Sequence, residues 1–142
     1  MNLPSYVSGT IYVKANRTLR MRITACLQRH DLTPTTWSLL GIVLSSPDGV
    51  RLNKVASLLN VKAPLVTMLA HGLIRQGLIN RIPHHLDKRA KLLVMTPKGK
   101  NYMKTVEAEM NQELAQLLKG VTQHDLDSYK KVLDTIIQNG KI

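Results

Sequence analysis

Apolar residues recur at helical spacing through most of the chain. Between about Ser8 and His30 they fall at Ile11, Ala15, Leu19, Ile23, Cys26 and Leu27, in steps of 4, 4, 4, 3 and 1. Such steps lay them in one stripe along a helix. Arg17, Arg20, Arg22 and Arg29 lie largely off that stripe. Thr33-Pro34 predicts a second helix start, with Thr as cap and Pro in the first turn, where its missing N–H costs nothing. Trp37, Leu40, Ile42, Val43 and Leu44 form the body of this helix, and Ser46-Pro47-Asp48-Gly49 ends it in a turn. Val50-Arg51-Leu52 reads as a very short extended piece. Asn53 is expected to cap a third helix whose apolar side is Val55, Ala56, Leu58 and Leu59. Beyond an Asn60-Val61 corner, a fourth helix runs from about Ala63 to Gln76 with Val66, Leu69 and Leu73 inward. Gly77 suits the left-handed residue past a helix end.

The pattern then changes. Leu78 to Pro83 and Leu92 to Thr96 read as two strands, joined by the polar, basic run His84-His85-Leu86-Asp87-Lys88-Arg89-Ala90-Lys91. Two strands with a long basic tip make a wing. Thr96-Pro97-x-Gly99 starts a further helix to about Lys119, stopped by Gly120. Thr122-x-x-Asp125 resembles a capping box with Asp in place of Glu. The last helix places Leu126, Tyr129, Leu133, Ile136 and Ile137 at steps of 3, 4, 3 and 1, a stripe that needs a partner. No internal repeat, low-complexity tract or long linker is evident. These elements predict one mainly α domain over residues 1–142, of the α+β kind: a winged helix-turn-helix with a small β-hairpin.

Charge sharpens the picture. The net charge is +11, but residues 1–95 hold 13 Lys/Arg against 3 Asp/Glu, and residues 96–142 hold 7 against 6. A localised positive field points to a polyanion, either nucleic acid or an anionic membrane surface. No stretch reaches the roughly 18 apolar residues of a spanning helix. No basic-then-apolar leader is visible in Met1 to Thr10, so a cytoplasmic place is expected. Hydrophobic content of 44% excludes general disorder. The absence of Phe and an aromatic share of 4% argue against binding single strands by stacking. One cysteine excludes an intramolecular disulfide framework.

Each part of the helix-turn-helix and wing has a physical task on double-stranded DNA. The major groove admits a helix, and the outward residues of the fourth helix are Lys62, Pro64, Leu65, Thr67, Met68 and His71. Thr67 and His71 can bond to bases, Leu65 and Met68 can pack on a thymine methyl, and Lys62 suits a phosphate. The alternative is that Leu65 and Met68 pack within the protein. No capping side chain stands beside Pro64, which leaves first-turn N–H groups for a phosphate oxygen. At the wing, Arg89 can enter a narrow minor groove while Lys88 and Lys91 meet phosphates. Asp87 is expected to orient Arg89 or to bond backbone N–H groups of the tip.

The order Leu52-x-x-Val55-Ala56, Val66-Thr67-x-Leu69, Leu73-x-x-x-Gly77-Leu78-Ile79-x-Arg81, Asp87-Lys88-Arg89-Ala90-Lys91 and Met95-Thr96-x-x-Gly99 resembles the MarR family. The start at Leu32-Thr33 and Trp37 resemble its SlyA-type branch. The resemblance covers about residues 32–100. It implies a transcriptional regulator, most often a repressor, acting as a homodimer on an inverted repeat. Helices in 1–31 and 100–142 would form the dimer and 32–99 the DNA-binding lobe. It also implies wing roles for Asp87 and Arg89 and a matching position for Arg81; Arg81 and Asn53 are expected to contact the DNA backbone or support the wing. A small aromatic or amphipathic anionic effector is implied too, with Tyr12, Arg17, His30 and Trp37 as lining residues. Ile74 stands where the family often has Glu, and Gly72 interrupts the recognition helix.

Three rival functions share parts of this pattern: a non-specific nucleic-acid coat held by charge, a protein-interaction module, and a redox sensor using Cys26. Cys26 lies on the apolar stripe, which favours a buried structural thiol. The five histidines show no ligand spacing with acidic neighbours, so neither metal nor cofactor is expected. No phosphate-cradling Gly loop or nucleophile elbow supports an enzyme.

Overall fold

A computed structural model describes residues 4–141. A π-helical turn at Val7–Ile11 leads into α1 (Tyr12–Gln28). Then follow α2 (Pro34–Leu44), β1 (Val50–Arg51), α3 (Leu52–Leu59), α4 (Ala63–Arg75), β2 (Ile79–Pro83), β3 (Lys91–Met95), α5 (Pro97–Leu117) and α6 (Gln123–Asn139). The sheet is antiparallel in the order β1-β3-β2. The expected elements are all present. The winged helix-turn-helix stands as read, with ends displaced by one or two residues.

Three helix starts form as their local sequence dictates. Thr33 Oγ1 accepts the Thr36 N–H and Thr96 Oγ1 accepts the Gly99 N–H, each beside a first-turn proline. At α6 the capping box is complete: Thr122 N–H donates to Asp125 Oδ2 and Asp125 N–H donates to Thr122 Oγ1. The Thr122 N–H, and with it the Thr122 hydroxyl, hold the Asp125 carboxyl below its usual value, because a hydrogen bond to the carboxylate favours its charged form. The fourth start differs from expectation. Asn53 does not cap α3; the cap position is Arg51, extended and without a side-chain bond. Val50 and Arg51 pair with Leu93 and Leu92, so the helix begins directly at the end of the strand and leaves no free residue for a cap.

The core is aliphatic. Leu27, Leu39, Leu40, Val43, Val55, Val66, Leu73, Ile79, Leu93 and Val106 are buried together, with Met103 and Met110 of α5, and among the described residues no buried one is polar. It sits among α2, α3, α4, the sheet, the end of α1 and the first half of α5. The outer parts of α1 and α6 are different. Ile11, Val13 and Met21 are exposed on α1 and its lead-in, and α6 buries no residue at all.

One joint ties the lobe to the long helix. The Thr96 hydroxyl lies 2.6 Å from the Gly77 carbonyl and 3.0 Å from that of Leu78, while Lys98 Nζ donates to the Gln76 carbonyl at 2.8 Å. Gly99 sits so close that a Cβ would overlap the Leu78 carbonyl oxygen and come within 2.5 Å of Met95 Sδ. Gly72, in contrast, has nothing within 4 Å of where a Cβ would stand. The two glycines should therefore answer alanine with opposite signs. Gly99→Ala is expected to destabilise by about 2–3 kcal/mol or more through backbone displacement. Gly72→Ala is expected to stabilise by up to about 1 kcal/mol through helix propensity. Urea unfolding of the two variants measures both.

Candidate nucleic-acid interface

The chain bends by 113° between α3 and α4, within the ~90–120° of a helix-turn-helix. The corner is Asn60, left-handed at φ 53°, with Val61 N–H donating back to the Ala56 carbonyl at 3.0 Å. Asn tolerates this conformation better than most residues. Past the corner, α4 buries Val66, Ala70 and Leu73. Leu69, expected inward, is only partly buried, and Ala70 takes the deeper place.

The opposite side of α4 is bare. Lys62, Pro64, Leu65, Met68 and His71 are exposed. Met68 is 61% and Leu65 37% exposed, so neither is packed away under the wing or against α2. Thr67 is half-buried, and its hydroxyl donates to the Ala63 carbonyl at 3.1 Å. What it can offer outward is its methyl group and its oxygen as an acceptor. The first turn has fewer free donors than expected. The N–H groups of Leu65 and Val66 both turn to the Lys62 carbonyl, and Pro64 has none.

In the wing, β2 and β3 pair from Ile79↔Met95 to Pro83↔Lys91. Beyond the last pair, His84 N–H donates to the Ala90 carbonyl and Ala90 N–H to that of Asp87, both at 3.0 Å. Asp87 Oδ1 accepts the Arg89 N–H at 3.0 Å, so its role is the backbone one of the two expected. Lys88, Arg89 and Lys91 are exposed, as are Arg81 on β2 and Asn53 in the first turn of α3. Strand alternation would separate His84 and His85. The strand ends at Pro83, however, and the two rings stack with centroids 4.7 Å apart.

Two cations escaped the sequence reading. Arg51 and Lys54 line a concavity at the base of the wing together with Asp48, Val50, His84, His85 and Leu92. Only the pairing of a two-residue strand with β3 brings them there. The one signal in the sequence was the extended Val50-Arg51-Leu52 itself.

The four residues named for an effector do not gather within one chain. Tyr12 and Arg17 are exposed on the outer part of α1, with Arg17 about 16 Å of helix from the last residue, Gln28. His30 lies past that end, its Nε2 2.7 Å from Glu109 Oε2 on α5, and its carbonyl accepts the Tyr102 hydroxyl. Trp37 packs partly buried against the core. Arg22 and Arg29 pair with Glu113 at 3.7 and 3.0 Å, which with His30–Glu109 brackets α1 against α5. A groove of another composition runs from the end of α2 along α5, lined by Leu44, Pro97, Lys100, Asn101, Met103 and Lys104 and, further along the helix, by Glu107, Ala108 and Asn111.

Cys26 is fully buried, and burial pushes its thiol up, with Arg29 as a smaller opposing influence. A reactive sensor thiol needs the reverse of both conditions. Among the described residues no three His, Cys, Asp or Glu converge as a metal site. Among the described residues no single helix is long and apolar enough to cross a membrane. The expected rate of thiol labelling follows: Cys26 in the native protein should react with a maleimide on the order of 100-fold more slowly than in urea. Mass spectrometry of timed samples gives that ratio.

The bent helix pair, a bare second helix and a paired basic hairpin define a winged helix-turn-helix. Residues 30–90 match the model of the MarR family. The match is to the family as a whole and does not single out its SlyA-type branch. Solved structures share the fold over nearly the whole chain. A MarR-family transcriptional regulator from Rhodococcus sp. RHA1 is 18% identical, covers 96% of each chain and has a TM-score of 0.79. CouR from Rhodococcus jostii RHA1, solved bound to p-coumaroyl-CoA, is 18% identical over 96% of this chain and 95% of its own, at 0.78. AbsC, a MarR-family transcriptional regulator from Streptomyces coelicolor, is 18% identical over 98% and 95%, at 0.75.

Proposed function

We propose that this protein is a transcriptional repressor that binds an inverted-repeat operator in double-stranded DNA as a homodimer. The observation that carries this is the bare face of α4: the residues that could touch bases are the ones the fold leaves outside, while Val66, Ala70 and Leu73 seal the core behind them. Lys62 and the wing cations Lys88, Arg89 and Lys91 supply phosphate and minor-groove contacts. Leu65 and Met68 suit thymine methyl groups, and His71 can bond to a base edge. Arg81, Arg51 and Lys54 add positive charge about the wing.

The second copy has a place to bind. Ile11, Met21, Tyr129, Val132, Ile136 and Ile137 are all about half exposed or more, on helices from opposite ends of the chain. Apolar exposure on this scale marks an interface. Two lobes held by these helices would present two α4 helices to half-sites about one turn apart. The α2–α5 groove sets Lys100 and Lys104 against one acid, Glu107, beside the apolar Leu44, Pro97 and Met103, and so suits an amphipathic or aromatic ligand with an anionic group. It lies where lobe meets long helix, so an occupant there would change the spacing of the two lobes. That the similar fold of CouR was solved with p-coumaroyl-CoA supports an effector of this kind. Repression follows where the operator overlaps a promoter.

Selection from random duplexes at ~150 mM salt should recover an inverted repeat. Salt-sensitive binding with no motif would instead indicate a charge-held coat. Arg89→Ala should weaken all duplexes alike and lower the salt slope by about 1, whereas His71→Ala should relax preference at one position at a cost of about 1–3 kcal/mol. Equal losses on every sequence for both variants would refute this division of roles.

Association has its own test. Sedimentation at micromolar concentration should give a dimer. The double variant Ile136→Glu, Ile137→Glu should give a monomer with an intact lobe, because α6 contributes no buried residue to the core. A wild-type monomer would overturn the two-fold operator.

A further inference from the structure

The wing tip has no apolar anchor. Leu86, its one large hydrophobic residue, is 83% exposed. Polar bonds alone give the tip its shape, and two of them converge on one imidazole. The N–H groups of Leu86 and Asp87 both donate to His84 Nδ1 at 3.1 Å. Asp87, ordered in this way, accepts the Arg89 N–H at 3.0 Å. The chain of dependence therefore runs from His84 through Asp87 to the residue at the point of the wing.

We infer that neutral His84 is the positioning residue of the wing, and that its protonation releases the tip and withdraws Arg89 from DNA. An imidazole nitrogen accepts only when it carries no proton. In the ordered tip the proton must sit on Nε2. Protonating Nδ1 turns it into a donor facing two donors, and both bonds are lost. Tip order is thus complete at the alkaline end of the imidazole range and falls as the pH falls. The surroundings act in both directions. Asp87 and Asp48 favour a positive ring, while Arg51 and Lys54, which line the same concavity, oppose it, as does a protonated His85 stacked on it. The two N–H groups in direct contact decide the sign.

The direction is opposite to simple charge. Protonating His71 or His85 on a basic face adds attraction for phosphates. His84 works against that gain through geometry. The inference rests on the proposed DNA binding for its consequence, but not for the tip itself.

His84→Asn separates the two effects. An Asn carbonyl oxygen can occupy the position of Nδ1, accepts from the residue two ahead as in an Asx turn, and does not titrate. In the free full-length protein, the heteronuclear NOE of the Leu86 and Asp87 amides should fall between about pH 8 and pH 5.5 in the wild type and stay level in the Asn variant. Imidazole nitrogen shifts at about pH 8 should show the Nε2–H tautomer. On the selected duplex, wild-type affinity relative to His84→Asn should drop on the order of tenfold across the same interval. His84→Ala should be weak at both ends. Superimposable NOE and affinity profiles for wild type and the Asn variant would overturn the inference. NOE values that change as expected, in a protein that binds no duplex at any pH, would support the role of His84 in the tip and refute the DNA reading instead.

Discussion

The contact between Gly99 and the Leu78 carbonyl governs how the molecule is put together. It allows the first turn of α5 to press onto the backbone that leaves α4 and enters β2. Thr96 then reaches the Gly77 and Leu78 carbonyls with the same oxygen that caps α5, and Lys98 neutralises the carbonyl end of α4 at Gln76. Recognition helix, wing and long helix thus share a joint of a few residues. α4 cannot turn independently of α5. A movement of α5 is therefore passed to α4 and the wing through this joint.

This joint was legible in the sequence in part. Thr96-Pro97-x-Gly99 announces a cap, as Thr33-Pro34 and Thr122-x-x-Asp125 do, because capping is local: donor and acceptor are three residues apart. The steric reason for Gly99 is not local. It requires Leu78, 21 positions earlier, to be brought beside it by hairpin pairing. Asn53 failed as a cap for a related reason. Its chemistry suited the role, but the pairing of Val50-Arg51 with β3 moved the helix start two positions upstream. The same pairing carries Arg51 and Lys54 to the wing, where spacing alone could not place them.

The recognition face was the most legible part, because inward and outward positions on a helix follow from periodicity. Even there Ala70 displaced Leu69 from the deepest place, since depth depends on what packs opposite. Strand alternation would set His84 and His85 on opposite faces, but it stops applying at Pro83, and the two rings stack. The stripe expected on α1 is divided: Cys26 and Leu27 join the core, while Ile11 stays exposed beside Val13 and Met21, which the stripe did not include. A sequence pattern identifies a face that avoids water but not the surface that covers it, and within one chain the stripe of α6 buries no residue.

The placement of charge follows the same division. Two of the three acids of α5 are engaged against α1 and the residues just past its end: Glu113 meets Arg22 and Arg29, and Glu109 meets His30. Exposed pairs of this kind contribute about 0–1 kcal/mol each, so their effect is more to hold α1 in register on α5 than to stabilise the fold. The lobe is treated differently. Among the described residues, Arg51, Lys54, Lys62, Arg81, Lys88, Arg89 and Lys91 have no acidic partner within 4.0 Å. Seven like charges on one small lobe repel one another and lower its stability. That cost is offset when the charges displace the counterions condensed on a polyanion, a gain available only outside the folded chain. Outside the lobe the charge is uneven: α1 carries Lys14, Arg17, Arg20 and Arg22 with no acid, whereas in α5 and α6 cations and acids are close to balance.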